Sequence, residues 1–141
     1  MESNQTVQTD FKVRSAKGSD LNFIYSTWLE SFRYDSHLGR SCRNVIYFDQ
    51  YPRVVDYILV RSKVLVVCYP QDEDVIFGYI VYEPMIAHYL FVKQAFRNLG
   101  IAKMLYIAAG EPKVYTHQTR MLDLGERDLV YNPLKLFKGV L

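Results

Sequence analysis

Arg97-Asn98-Leu99-Gly100-Ile101-Ala102 lies between two apolar stretches, Ile86 to Val92 before it and a helix-spaced run to Ala109 after it. Strand, short loop and a glycine-bearing helix start follow one another in that order. A helix leaves its first N–H groups without partners, and its dipole is positive at that end. Such a start is ready to receive an anion, a phosphate above all. The segment therefore predicts a site for a phosphorylated cofactor, and the rest of the chain is read outward from it.

Upstream, Phe11 to Arg14 reads as a first strand, and Ser19 or Asp20 as a helix cap. Leu21, Ile24, Tyr25, Trp28, Leu29 and Phe32 then recur at helical spacing, predicting an amphipathic helix that ends near Arg33. Tyr34 to Asn44 is polar, contains Gly39 and reads as a loop. A second helix is expected to begin around Asp49 to Pro52, with proline in its first turn. Its buried face is Val55, Ile58 and Leu59. Val64 to Tyr69 is continuously apolar, as a strand buried on both faces should be. Pro70 to Asp74 reads as a turn and Val75 to Glu83 as the next strand; Pro84-Met85 then leads into Ile86 to Val92.

Downstream, Ile101, Met104, Leu105 and Ala108 share one helix face, and Gly110-Glu111-Pro112 stops the helix. Lys113 to His117 reads as a strand, Arg120 to Leu124 as a short helix and Leu129 to Tyr131 as a last strand. Leu134 to Leu141 is apolar enough to dock on the rest. The order β-α-α-β-β-β-α-β predicts an α/β fold, a mixed sheet with helices packed on it and a shortened C-terminal part. The strand–helix–strand unit from Ile86 to His117 is expected to be a right-handed parallel crossover.

Composition sets the outer bounds. The chain has 141 residues, half of them hydrophobic and 15% aromatic, with twelve tyrosines. That suits one domain over residues 11–141 and argues against disorder. Met1 to Asp10 is polar, lacks a signal pattern and is expected to be a flexible tail. No apolar run approaches the ~20 residues of a membrane helix, so a cytoplasmic location is expected. Cys42 and Cys68 lack the partners and spacing of a zinc site, and no metal is expected. A net charge of +2 gives no bulk electrostatic reason to expect nucleic acid as a partner.

The strand order and the loop together resemble the GNAT superfamily of acyl-CoA-dependent N-acetyltransferases. That family's pyrophosphate loop has Arg or Gln, two variable residues, Gly, one variable residue, then Gly or Ala. Arg97 to Ala102 fits every constrained position. The likeness covers residues 11–117 in layout and 86–109 in motif. The short length, with Tyr115-Thr116-His117 followed by Tyr131-Asn132-Pro133, is similar to small bacteriophage members of the family.

The resemblance implies acetyl-CoA as co-substrate. Backbone N–H groups of Leu99, Gly100, Ile101 and Ala102 would hold its pyrophosphate, with Asn98 at the helix start. A glycine at position 100 would let the backbone approach the phosphates with no Cβ in the way. Arg97, Lys93 and Lys103 would add positive charge. The backbone of Leu90, Phe91 and Val92 would pair with the pantetheine arm, in a cleft left where the flanking strands splay. The first two helices and their loop would form the acceptor side, naming Glu30, Tyr34 and Asp35, with Arg33 and His37 nearby.

Transfer to an amine needs a base for the amine, donors for the oxyanion and an acid for the leaving thiolate. His117 ends the strand on the far side of the splay. His88 lies on the cleft-lining strand, and Glu83 is the nearby carboxylate. Each has a plainer reading, His88 as a satisfied buried histidine and Glu83 as an exposed strand end. The family's acid is a tyrosine on a helix after the fifth strand. The sequence departs here, because Thr119 to Asp128 is short and has no tyrosine. Tyr131 is the nearest, on an expected strand or turn where it can equally be a packing residue.

Two functions are therefore open at this level. One is an N-acetyltransferase acting on an amine of a small molecule or protein. The other is a catalytically inactive protein of the same fold that binds CoA or a protein partner. A homodimer is compatible with either.

Overall fold

The computed structural model describes residues 11–119 and 128–137. Expectations for Met1 to Asp10, for a helix over Arg120 to Leu124 and for residues 138–141 lie outside them. A mixed sheet runs in sequence order through β1 (Lys12–Ser15), β2 (Lys63–Tyr69), β3 (Asp72–Glu83), β4 (Ile86–Val92), β5 (Val114–Tyr115) and β6 (Val130–Tyr131). β1 to β4 are antiparallel neighbours, while β4, β5 and β6 pair in parallel. The expected mixed sheet and the parallel pairing across the Ile86–His117 unit are both present.

Helices α1 (Leu21–Asp35) and α3 (Asn44–Leu59) cover one face of the sheet. Ile24, Trp28 and Phe32 from α1 and Tyr51, Val55 and Ile58 from α3 pack with Val66, Tyr79, Val81 and Tyr89. Helix α4 (Ile101–Ala108) covers the other face, where Ile101, Leu105 and the following Ala109 meet Val67, Phe77 and Ile80. Helices on both faces explain the unbroken apolar run of β2, in which Val66, Val67 and Cys68 are fully buried. Each large apolar side chain so buried contributes about 1.5–3 kcal/mol.

The structure corrects the sequence reading in three places. The segment read as a loop from Tyr34 to Asn44 contains a short helix, α2 (His37–Ser41). Ser36 caps it, its hydroxyl oxygen accepting from the Gly39 N–H at 2.8 Å. Gly39 marks a close approach instead of a loop, since a Cβ there would stand 2.1 Å from the Phe32 carbonyl oxygen. Helix α3 begins at Asn44, ahead of the expected Asp49 to Pro52, which leaves Pro52 inside it. Proline has no N–H for the Phe48 carbonyl one turn back. The surrounding aromatic packing of Tyr47 and Tyr51 outweighs that loss. Strand β3 begins at Asp72, within the expected turn, because its first residues pair with β2 at Tyr69 while their polar side chains face outward.

Candidate active site

Strands β4 and β5 hold together over only two residue pairs, Ile86–Val114 and Ala87–Tyr115. The Thr116 N–H still donates to the Ala87 carbonyl at 3.1 Å. Beyond that point the strands part, and a bulge in β4 sets what faces the gap. Tyr82 pairs with Ala87 and Val81 with Tyr89, so His88 is an extra residue without a partner in β3. The bulge shifts the alternation of the backbone by one. Lys93 donates to Phe77 across β3. The neighbouring pair Val92–Gly78 is therefore a non-hydrogen-bonded one, and so is Leu90–Ile80. The N–H and C=O groups of Leu90 and Val92 thus point away from β3 and into the gap. Phe91 is a correction to the expected trio: its backbone groups face Tyr79 in β3, and its ring stacks on the Tyr79 ring.

The loop after β4 turns back across this gap. Asn98 (φ 67°) and Gly100 (φ 85°) are both left-handed. Glycine carries no penalty there and asparagine only a small one. A Cβ at Gly100 would meet nothing within 4 Å, so its constraint is conformational. The first helical bond of α4 runs from the Met104 N–H to the Gly100 carbonyl at 3.0 Å. Among the described residues, no hydrogen bond uses the N–H groups of Leu99, Gly100, Ile101, Ala102 or Lys103. Lys103, within this stretch, is exposed, and the Lys93 ammonium lies over the Phe23 ring. The Arg97 Nε–H donates to the Val92 carbonyl at 3.0 Å, which ties the loop to the end of β4.

His117 stands behind the gap. It is 8% exposed, and its ring is edge-on to Trp28 and Phe32, with Tyr51 and Tyr89 close by. Burial in that aromatic box pushes its pKa down to about 3, helped by the neighbouring His88, so the ring is neutral near pH 7. Its Nδ1 lies 2.9 Å from the Thr116 hydroxyl, which lies 2.9 Å from Nδ1 of His88. The other ring nitrogen of His88 is 2.7 Å from Glu83, and the Arg61 Nε–H donates to the same carboxylate oxygen at 2.9 Å. Burial lowers the His88 pKa, although Glu83 pulls against it. Burial works to raise the Glu83 pKa, but His88 and Arg61 together hold it below the usual carboxylate range.

Two spaces meet at His117. The smaller, about 20 Å³, is the gap between β4 and β5, bordered by Leu90, Tyr106 and Tyr115. The larger, about 570 Å³, opens among α1, α2, α3 and the strand ends, walled by Phe32, Leu38, Tyr51, Val54 and Tyr131. Among the described residues, only His117 borders both.

The structure thus brings His117 and Tyr131 to one cavity and places Glu83 and His88 behind them. Neither Glu83 nor His88 borders the larger cavity, and Glu83 is neither a free nor a fully exposed strand end. Tyr131 packs against Tyr115, ring centroids 5.3 Å apart, and is 45% exposed. Of the expected acceptor residues, Asp35 and His37 border the cavity. Glu30 and Tyr34 do not; both lie on the exposed side of α1, because the helix turns its apolar stripe to the sheet. Arg33 holds α2 in place through the Gly39 carbonyl and the Asn44 side chain. Thr116 was not among the expected site residues; the signal available for it was its position beside His117. Among the described residues there is no cluster of His, Cys, Asp or Glu able to hold a metal, and no helix long and apolar enough to cross a membrane.

No protein-family model matches the chain, and no curated protein matches it by sequence. Solved structures do match by shape. A candidate acetyl transferase from Pyrococcus furiosus aligns with a TM-score of 0.57 at 15% identity, over 82% of this chain and 86% of that one. The apo form of YjaB from Escherichia coli aligns with a TM-score of 0.53 at 17% identity, over 70% of this chain and 63% of that one. A GCN5-related N-acetyltransferase from Kribbella flavida aligns with a TM-score of 0.51 at 16% identity, over 72% and 63%. The chain thus spans less than two thirds of the length of the last two. At these identities the likeness establishes the fold, and the fold is that of the GNAT acetyltransferases.

Proposed function

We propose that this protein transfers an acyl group, acetyl in the first instance, from acyl-CoA to an amine. The observation that carries the reading is the position of His117 at the junction of a backbone-lined gap and a larger, mostly apolar cavity. The gap presents backbone groups that an extended donor arm would pair with by parting the strands further, the larger cavity suits an acceptor, and a neutral imidazole stands between them.

The residues present fit such a donor. The five N–H groups from Leu99 to Lys103 have no acceptor among the described residues, and they would hold the pyrophosphate with Lys93 and Lys103 nearby. The gap-facing backbone of Leu90 and Val92 would hold the pantetheine amides in the manner of an added strand. Acyl-CoA, when bound, supplies an activated thioester carbonyl. His117 would take a proton from the acceptor amine at Nε2, a nitrogen that no described residue engages. Tyr131, on the cavity wall and partly exposed, would act as the acid. The aromatic and aliphatic walls would exclude water from the reacting centre.

Calorimetry with acetyl-CoA tests the donor site. Micromolar binding by the unmutated protein, lost in Gly100→Glu, is the expected result; no binding by the unmutated protein refutes the reading. A second reading is a CoA-binding protein without turnover. One observation favours it: Thr119 to Asp128 holds no tyrosine to protonate a leaving thiolate, so binding need not be followed by transfer. Binding of acetyl-CoA with no thiol release across a panel of amines and peptides would select it.

A further inference from the structure

The hydrogen bonds behind His117 form one continuous line, Glu83–His88–Thr116–His117, and their polarity is determined from one end. An ionised carboxylate only accepts, so Glu83 fixes a proton on Nε2 of His88. In neutral His88, Nδ1 is then an acceptor, and the Thr116 hydroxyl must donate to it. The Thr116 oxygen is left to accept, and Nδ1 of His117 must carry the proton that donates to it. Nε2 of His117 is therefore bare. No other assignment satisfies every group while both rings are neutral.

We propose that Thr116 and His88 act as positioning and proton-carrying residues, so that His117 is the cavity end of a proton relay that terminates at the His88–Glu83 pair. The inference rests on the acyl-transfer reading for its purpose, though not for its geometry. It resolves a difficulty in that reading. His117 sits among aromatic rings with no carboxylate touching it, so a positive charge placed there is poorly stabilised. The relay moves the charge elsewhere. As the acceptor nitrogen forms its bond to carbon, its proton binds Nε2 of His117. The Nδ1–H bond of His117 breaks and that proton passes to the Thr116 oxygen. The former Thr116 hydroxyl proton passes to Nδ1 of His88. One proton enters, none is lost and no electron is transferred. The charge ends on His88, beside the carboxylate of Glu83, whose same oxygen Arg61 also holds. When the C–S bond breaks and Tyr131 protonates the departing thiolate, the relay resets: the proton returns along the same atoms to Nε2 of His117 and from there replaces the one Tyr131 gave up.

The same logic makes the line a switch. Once His88 is doubly protonated, its Nδ1 donates to Thr116, Thr116 donates to His117, and His117 shows a protonated Nε2 to the cavity. The groups that can bias this are Glu83 from β3, Arg61 after α3 and Tyr89 from β4. Asp35, His37, Arg40, Tyr51 and Tyr131 face the cavity side from α1, α2, α3 and β6.

Nitrogen-15 NMR of histidine-labelled full-length protein tests the proposal directly, because a protonated ring nitrogen and a bare one resonate far apart. Near neutral pH the expected result is Nδ1–H with bare Nε2 in His117, and Nε2–H with bare Nδ1 in His88. Thr116→Val should release the His117 tautomer, and Thr116→Ser, which keeps the hydroxyl, should restore it. If acetyl-CoA turnover is present, Thr116→Val should slow it at least about tenfold, as loss of a general base does, and remove the acid limb set by His88. A protonated Nε2 on neutral His117, or a tautomer unchanged in Thr116→Val, overturns the relay. Absence of turnover with the expected tautomers refutes acyl transfer while leaving the relay's geometry intact, so the two failures are separable.

Discussion

A histidine buried without charge makes stability depend on acid in a calculable way. The His117 pKa is lowered in the folded protein to about 3, against about 6.5 in the unfolded chain. Above the unfolded value both states are neutral and the group contributes nothing. As pH falls below it, the unfolded chain binds the proton first, so the folded state loses ground until the folded value is reached. The full span is worth about 5 kcal/mol, and about 2 kcal/mol of it falls between about pH 6 and about pH 4.5. Asp20 and Glu83, both lowered, also lose stabilisation as pH falls, and so does the neutral His88, so the wild-type curve alone does not isolate His117. The difference from His117→Gln does. Urea unfolding of both proteins across this range should show the wild type losing about 2 kcal/mol more than the variant. A difference that stays constant with pH would mean that His117 titrates normally, and the reasoning that makes it a neutral ring in an aromatic box would fail.

Three further substitutions probe the frame around the site. Gly39→Ala drives a Cβ against the Phe32 carbonyl oxygen, backbone on backbone, and should cost about 2–3 kcal/mol by urea unfolding while loosening the α2 wall of the cavity. Gly100→Ala meets no atom but must hold a left-handed backbone, so a smaller loss of about 1–2 kcal/mol is expected by the same assay. Arg14→Met leaves the buried Asp20 carboxylate without the guanidinium that now donates to both its oxygens. A loss of about 3 kcal/mol near neutral pH is expected, shrinking in acid as Asp20 takes up a proton.

The fold was largely readable because its periodicities are strong. The continuous apolar run at Val64 to Tyr69 could only be a strand covered on both sides, and it is. The failures share one cause. Gly39 and Pro52 are residues whose local preference argues for a loop or a helix start, and tertiary packing overrides both. Gly39 is needed because α2 folds back onto the last turns of α1. Pro52 is tolerated because Phe32, Tyr47 and Tyr51 stack around that turn of α3. Neither contact has a signature within a few residues of the position it explains.

The site divides the same way. The form of the Arg97 to Ala102 loop was legible since its glycine, the helix start that leaves N–H groups from Leu99 on without partners among the described residues, and its place after a strand are all local. The proposed base was only half legible. His117, His88 and Glu83 could be named from strand ends, but not arranged, because what arranges them is a one-residue bulge. Without it, Leu90 and Val92 would turn their backbone groups toward β3 and Phe91 would face the gap. With it, His88 leaves the regular ladder and reaches Glu83 and Thr116 at once. An insertion or deletion of one residue between Ile86 and Leu90 would therefore exchange the faces of the gap and break the line to His117 together. The proposed donor cleft and the proposed proton path thus both depend on one irregularity in β4, which is the physical reason to test them as parts of a single site.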